Sequence, residues 1–297
     1  MFENIIGNEN NKKLFQDIIK ENKIANAYMF IGRESIGKML FAMEFAKAIL
    51  CIGQEKPCNT CKSCIEFDSS NNPDFFTINP EGNAIKIDTI REVVKKVYEK
   101  PIVSKRKVYI INDSNLMTKE AQNSLLKTLE EPPEYVTIIL ITTDDNLFLP
   151  TVKSRCTKIL FNKLNNDQLL KILENKFNCK GVSDLTLKIA DGSIKKALIL
   201  KDKEKDYKLI DNLFSNIEKF DIIDMLEKKE DIFVDKEEAI EILEYINLIF
   251  FNKVKTNTKY INCMEIVEDT KNRIKKSNNF DMAIDHFMIT VWEEING

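Results

Sequence analysis

Glycine and proline are scarce in this chain, at 8 and 7 of 297 residues. All-β folds draw heavily on both for tight turns, so the shortage favours a largely helical protein. No stretch approaches the roughly 18 consecutive apolar residues of a membrane span. The N-terminus, Met1-Phe2-Glu3-Asn4, lacks the basic and then apolar order of a secretory signal. A cytoplasmic protein is therefore the expectation. Histidine occurs once, at His286 near the C-terminus, and reads as a helix-surface residue. Neither sign of charge dominates, the net charge being -3. With 43% hydrophobic and 31% charged residues the composition is that of a soluble globular protein, and the length is enough for two or three domains.

What is present is distributed unevenly. Residues 1–200 carry 29 Lys and Arg against 25 Asp and Glu, whereas residues 201–297 carry 15 against 22. A nucleic-acid contact would therefore fall in the first two-thirds. The plainer reading of these charges is a solvated surface. Strand signals are confined to the same region. Ala27–Ile31, Phe75–Ile78, Val108–Ile111, Val136–Ile141 and Thr157–Phe161 are short apolar runs, continuous as in strands buried on both faces. Helices are expected between them: from Lys38 to Leu50, from Asp88 (as N-cap) to Lys100, and from Thr118 (as N-cap) to Glu131 before Pro132-Pro133. Alternating strands and helices imply a right-handed parallel α/β sheet. Beyond Lys163 the strand signal stops; short helices follow, then longer amphipathic ones such as Ala239–Phe251. Boundaries are placed near 163 and 204.

The first strand feeds the run Gly32-Arg33-Glu34-Ser35-Ile36-Gly37-Lys38-Met39. In a phosphate-binding loop, backbone amides of residues 33–38 cradle a phosphate chain at a helix N-terminus and the lysine adds a point charge. Gly32, Gly37 and Lys38 are thus candidate nucleotide-binding residues. The pattern also wants Ser or Thr after the lysine, because that hydroxyl ligates magnesium. Met39 offers a thioether, a poor ligand for a hard cation. A second part is missing too. Hydrolysis needs a carboxylate at the end of a neighbouring strand, and there the chain reads Asn112-Asp113-Ser114-Asn115. Asn112 carries no charge to hold Mg²⁺, and strand alternation would turn Asp113 to the other face.

Four of the seven cysteines crowd together as Cys51-x6-Cys58-x2-Cys61-x2-Cys64. Four thiolates at this spacing suit a tetrahedral structural zinc site, with Lys56 and Lys62 offsetting its charge; four free or redox-active thiols are the rival reading. No histidine is near to suggest an open catalytic site. Cys156 and Cys179 read as core or half-buried thiols. Arg155, in Ser154-Arg155-Cys156 before the last strand, is by default a surface arginine, although an arginine on such a rim can act on a nucleotide held by a neighbouring subunit.

Together these stretches resemble the bacterial clamp-loader ATPase family of the AAA+ class, most closely its delta-prime branch. The carriers are Ala27–Phe30, the four cysteines, Val108–Ile111, Asn123-Ser124-Leu125-Leu126-Lys127-Thr128-Leu129-Glu130-Glu131-Pro132-Pro133, Leu149–Cys156 and Asp191-Gly192-Ser193-Ile194-Lys195-Lys196-Ala197-Leu198. The likeness covers about residues 1–200, and the remainder only as a helical pattern. It implies an α/β P-loop NTPase (AAA+) domain with a parallel sheet over 1–163, a small helical lid over 164–204 and an all-α collar over 205–297. It also implies a hetero-pentamer with gamma/tau motor subunits and a delta subunit, loading a sliding clamp on primed DNA for DNA polymerase III. Within it Arg155 would match the trans-acting arginine, Thr142 or Thr143 the sensor, and Lys195 the lid arginine of motor subunits, with a weaker planar contact to phosphate. Motor members carry Thr or Ser after the loop lysine and Asp-Glu after the strand. Met39 and Asn112-Asp113 depart from that, as the non-hydrolysing branch does; any ATP the loop holds would not undergo Mg-dependent hydrolysis, and whether it holds ATP stays open at this point. The rival expectations are a competent ATPase of gamma/tau type and a stand-alone zinc-containing DNA-binding module.

Overall fold

The computed structural model describes residues 1–276 and 279–297, and their side chains apart from those of 184, 185, 204–206 and 237. The chain divides into two compact units. One comprises Met1–Gly181 with Asp191–Lys195, the other Val182–Ala190 with Lys196–Gly297.

The first unit alternates as the sequence leads one to expect: α1 (Glu9–Lys20), β1 (Ala27–Ile31), α2 (Lys38–Leu50), α3 (Lys62–Asp68), β2 (Phe75–Ile78), α4 (Ile87–Val97), β3 (Lys107–Ile111), α5 (Lys119–Glu130), β4 (Val136–Thr142), α6 (Pro150–Lys153), β5 (Thr157–Leu160) and α7 (Asn166–Phe177). The five strands form one sheet in the order β2-β3-β4-β1-β5, and every pairing is parallel. Successive residues of each strand serve opposite faces. Tyr28 and Phe30 of β1 join Val108, Ile110, Ile139 and Ile141 in a core with α1 and α2. Ala27 and Met29 join Tyr109, Ile111, Ile138 and Leu140 in a core with α4 and α5. All residues of β3 and β4 are buried, which explains their unbroken apolar runs.

The α1/α2 face is aromatic. The Phe15 ring meets Phe30, Phe41 and Phe45 edge-on at 5.4, 5.3 and 4.4 Å, an arrangement that suits the ring quadrupoles. Phe15 is the one fully buried residue of α1; truncating such a residue to Ala costs about 3–5 kcal/mol. It therefore anchors a helix that the sequence reading left unassigned.

Two helix ends test the capping expectations. Thr118 accepts a hydrogen bond from the Ala121 amide at 3.2 Å, a side-chain cap as expected. The helix expected from Asp88 to Lys100 instead begins at Ile87 and ends at Val97, with Lys86 at its N-cap position. Asp88 lies in the first turn and pairs with Arg91 at 3.3 Å, where its charge still suits the helix dipole.

Among the described residues the regular elements of the second unit are helices: α8 (Asp184–Ala190), most of α9 (Ile194–Asp202), α10 (Glu204–Ser215), α11 (Ile222–Glu227), α12 (Lys229–Ile232), α13 (Lys236–Lys253), α14 (Lys259–Lys276) and α15 (Phe280–Asn296). Phe214 packs on Phe250 and Phe287, and Phe250 on Tyr260. Trp292 on α15 donates to the Phe220 carbonyl at 2.8 Å. His286 is exposed on α15, as expected. Among the described residues no helix is long and apolar enough to cross a membrane.

Candidate functional site

The sheet order creates a switch point between β1 and β4, the place where α/β sheets hold ligands. Ile31 lies opposite Thr142, so Gly32 and Thr142 emerge side by side where the strands end. The Gly32 amide donates to the Thr142 carbonyl at 3.2 Å. A Cβ on Gly32 would stand 2.7 Å from the Phe161 carbonyl oxygen, so only glycine fits this approach of two backbones. Gly37 has a left-handed φ of 93° and open space where a Cβ would be; there it is the conformation that asks for glycine.

Lys38 opens α2 and is 6% exposed. Its ammonium donates to the Gly32 carbonyl at 2.6 Å and also to the Arg33 carbonyl. Burial lowers its pKa to about 8, while the charges of Asp113 and Glu34 act in the opposite sense. β3 ends at Ile111, and Asp113 lies beyond it in the left-handed region (φ 43°); the charge of its carboxylate favours the charged form of Lys38. Asn112 sits beside it, donating to the Asp113 carboxylate at 3.1 Å. Met39 packs against the aromatic core, which gives its side chain a structural role on this face.

Thr142 is buried, and its hydroxyl is engaged locally. It donates toward the Asp144 carbonyl at 2.9 Å and lies 3.3 Å from the Asn115 amide oxygen. Lys195 is exposed on the first turn of α9. The preceding turn is tied to the loop: the Ile194 amide donates to the Ser35 carbonyl at 3.1 Å, and Asp191 forms ion pairs with both Arg33 and Lys163. Sequence reasoning quoted Arg33 and Asp191 in separate motifs and missed their pairing across 158 residues. It also missed a polar cavity of about 260 Å³, bordered by the amides of Asn8, Asn11, Asn162 and Gln168 and by the charged Glu9 and Lys163. Asn8 bonds the backbone of Asn162 through both its amide atoms.

Arg155 lies at the opposite edge of the sheet, where strands begin. Thr157 pairs with Tyr28 and Leu160 with Ile31. The strand between Arg155 and the phosphate loop therefore spans on the order of 15 Å, beyond the reach of one side chain. The guanidinium bonds Glu130 at 2.7 Å, the Thr151 carbonyl at 2.8 Å and the Ser154 hydroxyl at 3.3 Å. These contacts leave Nε–H and one Nη2–H of its five donors for another anion.

The four cysteines do converge. Their sulfurs all lie within 4.8 Å of one another. Cys51 Sγ is 3.5 Å from Cys58 Sγ and 3.9 Å from Cys61 Sγ, close to the roughly 3.8 Å edge of a tetrahedral zinc–thiolate site. Amides of Gly53 and Cys58 donate to Cys51 Sγ and that of Cys61 to Cys58 Sγ, at 3.3–3.4 Å. A Cβ on Gly53 would stand 2.8 Å from Cys58 Sγ. Hydrogen bonds from the Thr60 and Cys61 amides pull the Cys58 thiol down to about 6, while burial pushes Cys64 up to about 12. The cluster can hold a metal ion. Cys51 caps the far end of α2, so the cluster is roughly 20 Å from the phosphate loop. Cys156 is buried and Cys179 half-buried, outside the cluster.

A polar network moors the cysteine module. Asp74, fully buried, accepts from the amides of Ile102, Val103 and Ser104 at 2.7–2.8 Å. Ser63, between two cysteines, bonds Ser104 at 2.9 Å and receives the Asn72 amide.

Comparison with known proteins agrees with this geometry. The family model described as DNA polymerase III, delta subunit, matches residues 7–165, more than half of the chain. The chain belongs to this family. It is the clamp-loader family to which the sequence motifs pointed. The DNA polymerase III subunit gamma/tau of Mycoplasma genitalium is 29% identical over 326 aligned positions, covering 99% of this chain and 53% of that protein. The DNA polymerase III subunit delta' of Bacillus subtilis is 35% identical over 153 positions, 51% of this chain and 46% of that protein. The chain spans about a third to a half of the length of such relatives. A gamma subunit-related protein of DNA polymerase III from Thermotoga maritima superposes with a TM-score of 0.51 at 20% identity, over 94% of this chain and 99% of that one; this likeness concerns the fold.

Proposed function

We propose that the chain is a delta-prime-type stator of the DNA polymerase III clamp loader. In this reading it works in the cytoplasm within a hetero-pentamer of gamma/tau motor subunits and a delta subunit. The complex loads the sliding clamp on primed DNA. The chain binds ATP in its phosphate loop without hydrolysing it. Gly32, Gly37, Lys38, Thr142 and Lys195 line that degenerate site, and the amides around Asn8 and Asn162 receive the base. Arg155 serves the ATP of a neighbouring subunit. Cys51, Cys58, Cys61 and Cys64 hold a structural zinc. Residues 1–163 form the AAA+ domain, 164–204 the lid and 205–297 the collar.

The observation that carries the reading is Met39, half-buried against the aromatic core at the position after the loop lysine. Magnesium bound between β- and γ-phosphates needs hard oxygen ligands, and neither this thioether nor the Asn112 amide supplies a charged one. The distance of Arg155 from its own loop supports action in trans, since an arginine at such a rim reaches only another subunit's nucleotide.

A second reading, a competent ATPase of gamma/tau type, is favoured by one observation. Asp113 supplies a carboxylate close enough for its charge to act on Lys38, and in this second reading that carboxylate supports magnesium. Magnesium-dependent turnover of the isolated chain separates the two. The stator reading expects no turnover above that of Lys38→Ala; robust turnover abolished by that substitution would overturn it.

A further inference from the structure

One cavity of the first unit, lined by no residue of the phosphate loop, is basic. It measures about 640 Å³, and its polar lining is Lys20, Lys56 and Lys105 with Gln16, Asn22 and Gln54. The lysines come from three separate segments: the last turn of α1, the cysteine loop after α2, and the connection entering β3. All three lie at the edge where the strands begin, away from the phosphate loop. No carboxylate lines the cavity, and the nearby Glu21 is engaged by Lys23 at 2.7 Å. Lys20 also offsets the dipole at the end of α1, and Lys56 lies in the cysteine loop, whose thiolates it helps to balance; Lys105 has no such duty. Three converging cations with no carboxylate in the lining raise the local concentration of an anion.

We propose that this cleft binds the phosphodiester backbone of single-stranded DNA. The volume falls in the range of about 300–1,000 Å³ that holds small ligands, enough for a short piece of strand. Lysine, as a compact point charge, suits phosphate; carboxylate recognition favours the planar fork of arginine, and no arginine lines the cleft. The lining contains no aromatic ring, so bases are not stacked and sequence is not read; the contact is with the backbone alone. The amides of Gln16, Asn22 and Gln54 supply neutral donors to phosphate oxygens. The cleft is independent of the stator reading, which concerns ATP and Arg155.

The test is fluorescence anisotropy of the full chain with a labelled oligothymidylate of about 12 nucleotides, titrated at several salt concentrations. Three neutralised phosphates predict a slope of log K against log salt of about -2, or a loss of roughly twenty-fold between 50 and 200 mM salt. Lys20→Gln/Lys56→Gln/Lys105→Gln should remove most of that slope and weaken binding at least ten-fold; Lys20→Gln/Lys105→Gln, which spares the cysteine loop, should remove about two-thirds of the slope with an unchanged melting temperature. Lys171→Gln/Lys180→Gln/Lys188→Gln, an equal loss of exposed charge elsewhere, should leave binding intact. Equal losses in the two triple variants, an absence of salt-sensitive binding, or a preference for poly-glutamate over the oligonucleotide would overturn the proposal.

Discussion

The two ends of α2 differ in completeness. At its C-terminal end four cysteines converge with backbone amides aimed at their sulfurs, and a glycine makes room for one of them. At its N-terminal end a phosphate loop has the right glycines and a buried lysine, but the lysine bonds the loop's own carbonyls and the next side chain serves the core. One helix thus joins a site whose ligand set is full to one whose ligand set for magnesium is not. A fold can keep the backbone geometry of a nucleotide site for packing alone, since Gly32 is required by the Phe161 carbonyl whatever the loop binds.

Removal of metal should break the comparison most strongly. Structural zinc in such sites carries an apparent ~10–16 kcal/mol of binding free energy at neutral pH. Chelation, or Cys64→Ser, should abolish stoichiometric zinc in metal analysis. It should also speed hydrogen exchange across residues 51–66, leaving the loop 32–38 unchanged. Unaltered exchange over 51–66 after zinc loss would deny the metal a structural role.

Asp74 comes next. Asp74→Ala would strand three buried amides, at about 3 kcal/mol or more. Chemical denaturation should show that loss, whereas Asp144→Ala, at a more exposed turn, should cost under about 1 kcal/mol.

The two glycines give a finer contrast. Gly53→Ala should weaken zinc binding because its Cβ would stand 2.8 Å from Cys58 Sγ, and Gly32→Ala should lower stability by about 1–3 kcal/mol without touching zinc. Thermal melts and metal competition on both variants would reveal any crossover between the ends.

The smallest effect concerns pH. The folded pKa of Lys38 is about 8, below its ordinary 10.5. In the window between these values the unfolded chain binds more protons, so this group makes stability rise with pH there. Anion binding runs the other way. Tripolyphosphate affinity measured without magnesium should fall as pH rises through about 8, by up to roughly tenfold between pH 7 and 9. It should stay flat in Lys38→Arg, whose guanidinium does not deprotonate.

Features set by neighbours in sequence were legible before any coordinates. The strand–loop–helix run from Ala27, the Thr118 cap and the C-x2-C steps each declare themselves within a few residues. Features set by tertiary contacts were not. The Asp191 carboxylate meets Arg33 across 158 residues, and Asp74 meets the 102–104 amides across about 30. α1 was missed because its burial depends chiefly on Phe15. The effect of the Asp113 charge on Lys38 was not legible either, because it joins a turn after β3 to the start of α2.

The most direct test of the central claim is ATP turnover by the chain reconstituted with its motor subunits, comparing Arg155→Ala with Lys38→Ala. The Arg155 side chain holds only exposed contacts worth about 0.2–1 kcal/mol, so its loss should spare folding and assembly. The account predicts that Arg155→Ala removes the turnover of the adjacent site, by roughly 10³-fold or more at that site, while Lys38→Ala leaves total turnover unchanged. Turnover that survives Arg155→Ala and falls with Lys38→Ala would contradict it.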